Sequence, residues 1–573
     1  MSVRNMESLF QPKSIAVFGT RNDTDGLAAR VVYNLRACGF PGPVIPISAG
    51  ASAVASAIVY PDSAHLPFAP DLAVLCTPFD GMPALIDDLG RRGTRGVIIL
   101  SGDRETGCGA ESPIPALLEA ARPHLVRILG PASFGVMAPH LGMNASVAKT
   151  PAAAGKIAFV TQSRALASAA LRHAAEEGIG FSYFLSLGGS ADVDLGDVLD
   201  YLAGDATTRA VLIHAETIDH ARKLMSSARA AARNKPVLVV KAGRGAASGS
   251  EDGKLTDLIV DAAIRRAGML RVATLSELFD AVETLAFVQR LRGDRVAVLA
   301  NGKGPGLLAI DALERSGGIP ASLTPKTRAT LADATGCSQV DPGLVDLLGD
   351  ATADRYGEVL TAVLGDQGVD TALVIHAPLD DANGEEVAER VARAVKASHK
   401  AAFACWLGRD RAGPTRKILA DANIPTYDSP EDAIRAVTHV TNYWKNQETL
   451  IQTPSSVADG FVPDTDHASA IVRGALAQGR DRLTIREVTQ VFRSYAIPMV
   501  DTLTAKTPDD AARLGEALGF PIALKLLSGT PGLGADGSDV ALDLGSVDEV
   551  RHAAEAMIRR LRDLNPHAQV EGF

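Results

Sequence analysis

The sequence is poor in cysteine, in aromatic residues and in long apolar runs. Its 573 residues include five cysteines, which are scattered and never arranged as Cys-x-x-Cys. Disulfide frameworks and zinc sites both need clustered cysteines, so we predict reduced thiols and no metal site. The N-terminus lacks the apolar run of a signal peptide, and no stretch approaches the roughly 20 apolar residues of a membrane span. We therefore expect a cytoplasmic protein without a membrane partner.

The sequence also lacks a concentration of positive charge. The net charge is −10, and arginine and acidic residues are interspersed, which argues against nucleic acid as a partner. Anionic small molecules are not excluded, because N–H groups at helix N-termini bind phosphates whatever the net charge. With 46% hydrophobic residues the chain can bury large cores, and its length predicts about four domains.

Short β-branched runs alternate with longer segments of helical period, as in repeated βαβ units with parallel sheets. The pattern restarts near residues 156 and 295, which predicts three consecutive doubly wound α/β domains with boundaries near 150 and 291. In the first domain each predicted strand ends in a small-residue corner, where ligands of such sheets bind. Strands are predicted at 14–18, 44–47, 72–76, 97–100 and 126–129, at 156–160, 181–185, 211–214 and 237–240, and at 295–300, 371–376 and 401–406.

Two glycines mark the first corner. Gly19 follows the first predicted strand and Gly26 opens the next helix, so a phosphate can rest on that helix N-terminus. A dinucleotide fingerprint needs G-x-G-x-x-G and an acid after the second strand; both are absent, so NAD is disfavoured and coenzyme A fits better. One alternative is that the glycines only allow the turn and bind no ligand. Arg21 is likewise left open, as either a phosphate contact or a solvated surface charge.

A set of motifs runs in order along nearly the whole chain: Leu9–Val17, Gly39–Gly42, Arg127–Pro131, Leu185–Gly188, Asp192–Asp194, Asn234–Val237, Lys241–Arg244, Asn301–Gly306 and Gly519–Lys525. Together they resemble the NDP-forming acyl-CoA synthetases, relatives of succinyl-CoA synthetase. In the residues of two segments, Asp71–Thr77 and Leu278–Leu285, the sequence is most similar to one branch of this family. That branch is the bacterial protein lysine acetyltransferases, which fuse such a region to a GNAT domain.

The resemblance implies four regions in a fixed order. They are a CoA-binding Rossmann domain (1–150), a succinyl-CoA synthetase-like flavodoxin domain (151–290), a second flavodoxin-like domain (291–450) and, after a linker (451–480), a partial ATP-grasp subdomain (481–573). It also implies CoA or acetyl-CoA as the ligand. The residues expected to bind it lie at the strand corners: Gly19, Thr20, Arg21, Gly26, Thr77, Pro78, Ser101, Gly102, Gly130 and Pro131.

The histidine that carries phosphate in active relatives is replaced. The resembled pattern has Ser-His-Thr-Gly in a small-residue loop, where this sequence reads Gly249-Ser250-Glu251-Asp252-Gly253. No histidine occurs between His220 and His376. Because a carboxylate cannot carry phosphate through a phosphoramidate cycle, we predict that this step is lost near Glu251 and that no catalytic residue remains.

Neighbouring positions depart from the pattern as well. Arg164 stands where the family has a small residue after Ser-Gln-Ser, and Ala132 stands for the asparagine of Gly-Pro-Asn. Glu216 matches the acid that orients the missing histidine and is interpreted as a remnant. His214 lies two residues earlier, on the same strand face. It is interpreted as a hydrogen-bonded core histidine, with a substitute base as the alternative.

The nucleotide-binding part is incomplete. Lys525 stands at the family position of a lysine that contacts nucleotide phosphates, but the His-Lys pair expected in the next loop is absent from 532–537. The acids that would hold Mg²⁺ are expected beyond Phe573. We therefore expect neither useful ATP binding nor a metal in this chain.

Two functions from different classes follow. The first is a catalytically degenerate acyl-CoA sensor, the regulatory part of a lysine acetyltransferase with a GNAT domain in the same protein, which self-associates. The alternative is an active ADP-forming acyl-CoA ligase, or its CoA-binding subunit completed by a separate ATP-grasp chain.

Overall fold

The computed structural model describes residues 3–19, 26–50, 53–54, 57–102, 113–243, 251–288, 290–291, 293–335, 342–378, 384–408, 413–452, 462–528, 540–564 and 570–573, with the side chains of 251–254, 334–335, 528 and 564 left aside. The chain divides into two compact units, Met1–Gln452 and Thr453–Phe573. The first unit contains three mostly parallel sheets, which confirms the predicted α/β class.

The first sheet is fully parallel, with strand order β2-β1-β5-β6-β7. Every residue of β1, β5 and β6 is buried, so the run of apolar residues in each strand reflects a sheet covered on both faces. The elements are α1 (Glu7–Phe10), β1 (Ile15–Phe18), α2 (Leu27–Ala37), β2 (Val44–Ile47), the hairpin β3 (Ala53–Val54) and β4 (Ala57–Ile58), β5 (Leu72–Leu75), α3 (Met82–Arg92), β6 (Gly96–Ile99), α4 (Ile114–Ala121) and β7 (Arg127–Leu129).

The second sheet has seven strands in the order β14-β13-β12-β10-β11-β8-β9. Five are parallel, and the hairpin β8–β9 joins β11 antiparallel. This hairpin was not predicted from the sequence. It precedes the domain boundary placed at 150, which stays a prediction. The elements are β8 (Gly135–Ala138), β9 (Met143–Ser146), β10 (Ala153–Thr161), α5 (Arg164–Glu176), β11 (Gly180–Ser186), α6 (Leu195–Gly204), β12 (Ala210–Ala215), α7 (Ala221–Ala232), β13 (Val237–Lys241), α8 (Glu251–Arg266), β14 (Leu270–Val272) and α9 (Leu275–Phe287).

The third sheet is parallel, with strand order β16-β15-β18-β19-β20. β17 pairs with the same edge of β15 as β16 does, but further along the strand. Three of its strands match the predicted runs to within one residue. The elements are β15 (Arg295–Ala300), α10 (Lys303–Arg315), β16 (Ile319–Pro320), α11 (Pro325–Thr335), β17 (Leu344–Asp346), α12 (Ala353–Gly365), β18 (Thr371–His376), α13 (Gly384–Lys396), β19 (Ala402–Trp406), α14 (Pro414–Ala420), β20 (Thr426–Tyr427) and α15 (Pro430–Ile451).

Packing joins the three sheets into one unit. Phe10, in α1, stacks on Tyr201 of α6 with ring centroids 4.8 Å apart, so the first and second sheets share a core. The long helix α15 connects the second and third. Its buried Asn446 and Gln447 donate through their side-chain amides to the carbonyls of Met269 (2.7 Å) and Gly268 (2.8 Å).

The second unit holds smaller antiparallel pairs, β21 with β23 and β22 with β24. Helix α17 starts with a capping box, in which Thr484 and Glu487 bond each other's backbone N–H groups. The elements are α16 (Thr465–Ala477), α17 (Ile485–Ser494), α18 (Pro508–Leu518), β21 (Ile522–Lys525), β22 (Leu527–Ser528), β23 (Val540–Leu544), α19 (Val547–Leu564) and β24 (Val570–Gly572).

Candidate functional site

The first predicted corner lies at the carboxyl end of β1. The N–H of Gly19 donates to the carbonyl of Ile47 at 2.9 Å, which ties the corner to the neighbouring strand. Gly26 is the N-cap of α2 and makes no side-chain cap, so the first N–H groups of this 11-residue helix have no capping side chain. Thr20 and Arg21 fall outside the described residues. The corner therefore offers backbone donors suited to a phosphate.

The ends of β5, β6 and β7 are tied together by hydrogen bonds. Ser101 donates through Oγ to the carbonyl of Thr77 at 2.6 Å, and the N–H of Ala132 donates to the carbonyl of Ser101 at 2.8 Å. A Cβ on Gly102 (φ 139°) would lie 3.2 Å from that same nitrogen, so backbone segments approach closely here. Pro78 follows Thr77 and is exposed. Four of the predicted residues thus lie on one edge of one sheet.

The corner at Gly130 and Pro131 contacts β6 of the first sheet and the segment that follows β11 of the second sheet. A Cβ on Gly130 (φ 114°) would lie 2.5 Å from the carbonyl oxygen of Ile99. The carbonyl of Pro131 accepts from the N–H of Gly189 at 2.7 Å. Ala132 has φ 55°, a region that asparagine enters far more readily than alanine. The backbone at position 132 thus has the conformation that the asparagine of the resembled Gly-Pro-Asn pattern would favour.

Beside this corner lies a cavity of about 980 Å³. Its walls come from 132–134, 147–150, the first turns of α5, Gly188 and Glu216. Three side chains in the lining are cationic: Lys149, Arg164 and Arg172. Lys149, Ser168 and Arg172 were not predicted as site residues. The signal available was the spacing of 164, 168 and 172, which places three polar side chains on one helix face.

Arg164 is the first residue of α5 and reaches back to the first sheet. Its guanidinium donates to the carbonyls of Leu100 and Ser133, the latter at 2.9 Å. The N-cap Ser163 accepts through Oγ from the N–H of Leu166. Arg164 therefore places a positive charge between the strand ends of the first sheet and the start of α5.

Glu216 lies one residue after the end of β12, and the side chains of Gln162 and Lys241 hydrogen-bond its backbone. Gln162 accepts through Oε1 from the N–H groups of Glu216 (2.5 Å) and Thr217 (3.0 Å). Lys241 donates through Nζ to the carbonyls of Glu216 (2.8 Å) and Ala242 (2.7 Å), and burial lowers its pKa. Glu216 itself is exposed to the cavity, so its carboxylate is the acidic group in a mainly cationic lining.

His214 is a core residue, which confirms its interpretation from sequence. It is 3% exposed, and its Nδ1 lies 3.0 Å from Oγ1 of Thr161. Burial lowers its pKa, and Lys241 adds to that effect against the opposing charge of Glu216. A neutral, hydrogen-bonded imidazole is the result.

Two other predicted positions are only partly described. Glu251 is the first residue of α8, but its side chain and the residues 244–250 lie outside the described part. Lys525 ends β21, is exposed and pairs in register with Val540. The glycine loop that follows it also lies outside the described residues. Neither position is tested as a site.

The rest of the described chain adds two observations. No cluster of three or more His, Cys, Asp or Glu side chains able to hold a metal occurs among the described residues. None of the described helices is both long and apolar enough to cross a membrane.

Comparison with known proteins gives matches to three domain families in order. The model of a CoA binding domain matches 13–139, that of a succinyl-CoA ligase like flavodoxin domain matches 154–285, and that of an ATP-grasp domain matches 474–573. ADP-forming acetate–CoA ligase I of Archaeoglobus fulgidus is 30% identical over 575 residues, which span 99% of this chain and 82% of that protein. The chain belongs to the ADP-forming acyl-CoA ligase family.

Two further relatives show where the match is concentrated. The α subunit of Pyrococcus furiosus ADP-forming acetate–CoA ligase I is 31% identical and covers 77% of this chain and 98% of its own length. The structure of dinucleotide-forming acetyl-coenzyme A synthetase 1 from Ca. Korarchaeum cryptofilum aligns with a TM-score of 0.66 at 27% identity, over 78% of this chain and 99% of that one. Family membership confirms the synthetase resemblance and the order of folds. The finer likeness to lysine acetyltransferases stays a prediction.

Proposed function

We propose that this chain is the acyl-CoA-binding part of an ADP-forming acyl-CoA ligase. The observation that carries the proposal is the carboxyl edge of the first sheet. The uncapped N–H groups at the start of α2, after Gly26, lie on this edge together with the hydrogen-bonded corners at Gly19, Ser101 and Gly130. The phosphates of CoA would rest on the N-terminus of α2, with the adenine near Thr77 and Pro78. The thioester end would then lie at the Gly130 corner, beside the cavity.

The reaction class follows from the family. Acyl-CoA, phosphate and ADP give the free acid, CoA and ATP. A phosphate oxygen attacks the thioester carbonyl carbon, the C–S bond breaks and CoA leaves as thiolate, which gives an acyl phosphate. The cationic cavity beside the thioester end suits this step, because positive charge stabilises the attacking anion and the developing oxyanion.

A second candidate function is regulation without chemistry, in a protein that also carries a GNAT acetyltransferase domain. It is favoured by one specific observation: no histidine occurs between His220 and His376, and Glu251 and Asp252 stand where the resembled pattern has its phosphate-carrying histidine. The first candidate is favoured by 30% identity to an acetate–CoA ligase over 99% of the chain. Both functions require acyl-CoA to bind at the same edge.

Two measurements test these functions. Calorimetry with CoA and acetyl-CoA should show binding in the micromolar range, about −8 kcal/mol, and Gly19→Val should weaken it while the far-ultraviolet spectrum stays unchanged. The absence of heat from a folded preparation would refute acyl-CoA binding.

The second measurement supplies acetyl-CoA, phosphate and ADP together with an ATP-grasp subunit of a relative, because the ATP-grasp match in this chain covers residues 474–573. ATP formation that depends on this chain supports the ligase. ATP formation that is absent in spite of CoA binding supports the regulatory function, and in that case Glu251→His alone should restore nothing.

A further inference from the structure

Helix α8 presents an apolar face to solvent. Leu255, Leu258 and Ile259 are 58%, 66% and 61% exposed, and Ala262 on the same face is exposed as well. Among the described helices, α8 is the one that exposes three large apolar side chains. Apolar side chains that follow one helix face, rather than lying scattered over the surface, mark an interaction surface.

The orientation of α8 is set by charged residues on its inner face. The guanidinium of Arg271, whose side chain is 3% exposed, donates to the carboxylates of Asp257 and Asp261. Ile264 is buried in the core that the first and second sheets share. A surface helix of a globular protein usually turns its charged residues to water and its apolar residues to the core. Here two carboxylates face inward and three large apolar side chains face outward, so the outer face is open to a partner.

The exposed face has the spacing of a contact between two helices. Its four residues stand at positions i, i+3, i+4 and i+7, which form the seam along which helices pack. A two-fold axis that passes between residues 258 and 259 brings a second α8 alongside in antiparallel orientation. This axis places Leu258 against Ile259 of the second copy. It also places Leu255 against Ala262 of the second copy, so a large side chain meets a small one at each end of the seam.

The charges at the two ends of α8 fit the same axis. Glu251 and Asp252 stand in the first turn of the helix, and Arg265 and Arg266 stand in the last. The axis puts position 251 opposite 266 and position 252 opposite 265, so acidic residues meet basic ones at both ends. Arg265 pairs with Asp261 of its own helix, whereas Arg266 has no acidic partner within ion-pair distance among the described residues. A parallel pair of helices would instead bring like charges together at each end, which opposes association.

We propose that α8 is a self-association surface, which pairs in antiparallel orientation with α8 of a second copy of this chain. Lys254 falls opposite Ala263 in this register, so it meets no like charge. A single helix pair buries less than a standard interface of roughly 1,600 Å². The dimer is therefore weak, with a dissociation constant on the order of 10 µM. The proposal goes beyond acyl-CoA binding, because none of these residues lies on the carboxyl edge of the first sheet.

Sedimentation of the full chain from about 1 to about 100 µM tests the proposal, and a shift from monomer to dimer is expected. Leu258→Glu should weaken the dimer at least about tenfold, because the contact would bury an unpaired carboxylate. Leu255→Glu should act in the same direction. Ile58→Glu is the matched control, since it adds the same charge at an apolar residue that is 80% exposed on β4, and it should leave the dimer unchanged. Far-ultraviolet spectra check that each variant is folded.

Charge reversal tests the antiparallel register. The double variant Glu251→Arg with Asp252→Arg should weaken the dimer about fivefold, and so should Arg265→Glu with Arg266→Glu. The chain that carries all four substitutions should dimerise as the original does, within about twofold, because the opposed charges are only exchanged.

A chain that stays monomeric over the whole concentration range would overturn the proposal, and so would a dimer that Leu258→Glu leaves intact. If the chain with four substitutions stays as weak as the two double variants, the antiparallel register is wrong. If the chain alone is monomeric and an ATP-grasp subunit of a relative binds it in a Leu258-dependent way, the face belongs to that partner and self-association is wrong.

Discussion

The carboxyl edges of the first and second sheets differ in the groups that they expose: backbone groups at the first edge and side chains at the second. The first edge is made of backbone: glycine corners at Gly19 and Gly130, an uncapped helix start at Gly26, and carbonyls tied by N–H groups. The second edge is made of side chains, with Arg164, Arg172 and Glu216 facing a cavity. An edge that exposes backbone groups tolerates substitution as long as its glycines are retained. An edge that exposes side chains changes its chemistry with each substitution.

Gly130→Ala should have the largest effect, because it breaks the backbone edge. The added Cβ would meet the Ile99 carbonyl at 2.5 Å with φ at 114°, and we expect the free energy of unfolding to fall by about 3 kcal/mol. Gly39→Ala is the matched control, because Gly39 (φ 75°) has open space around its Cβ position. It should lose only about 1 kcal/mol from backbone strain. If urea unfolding shows equal losses of unfolding free energy for the two variants, the contact between the added Cβ and the Ile99 carbonyl contributes nothing to the destabilisation.

Asp197→Asn tests the charged junction between the two sheets. Asp197 is 1% exposed and accepts from Arg127 (3.0 Å) and Lys223 (2.6 Å). Neutralising it removes one of the two carboxylates that each cation contacts, the others being Asp192 for Arg127 and Asp194 for Lys223. The free energy of unfolding should therefore fall by about 2 kcal/mol. Asp311→Asn, at an exposed position of α10, should change the urea midpoint little. A midpoint for Asp197→Asn that matches this control would rule out a stabilising junction.

Glu277→Gln tests a charged contact between the second and third sheets. Glu277 lies 3.5 Å from His439, and the hydrogen bond from this histidine lowers the pKa of Glu277 to about 2. A lowered folded-state pKa stabilises the protein above the unfolded value near 4.5, and this stability is lost as the pH falls towards 2. We expect the variant to lose about 1 kcal/mol at pH 7.

The loss should shrink as the pH falls from 5 to 3, and urea unfolding across this range measures it. A difference between the two proteins that stays constant with pH would contradict the pairing.

Ala132→Asn should have the smallest effect and should sharpen the comparison. Asparagine adopts φ near 55° more readily than alanine, so the free energy of unfolding should rise by about 0.5 kcal/mol. If acyl-CoA binds as proposed, the new amide lies beside its thioester end and should tighten acetyl-CoA binding more than CoA binding. Ala132→Val, which disfavours this backbone region, should lower the melting temperature. A lower melting temperature for Ala132→Asn would mean that alanine is needed for space.

Most of the fold could be predicted from local patterns. The parallel strands are buried on both faces, so they appear in the sequence as short apolar runs between helical segments, and runs such as 295–300 and 371–376 match the structure residue for residue. The hairpin β8–β9 was missed because Gly135–Ala138 and Met143–Ser146 contain small residues and asparagine. Their pairing with β11 comes from the packing of the second sheet.

The amino-acid sequence by itself determined the order of domains and the glycine corners of the first sheet, because each of these depends on residue identity at a known spacing. Only the tertiary structure decided which side chains share a cavity. Lys149, the α5 pair Arg164 and Arg172, and Glu216 come from three separate segments of the chain, and no local pattern encodes the convergence of these segments. It arises because α5 begins where the strand ends of two sheets meet, so that Arg164 reaches carbonyls of the first sheet from a helix of the second.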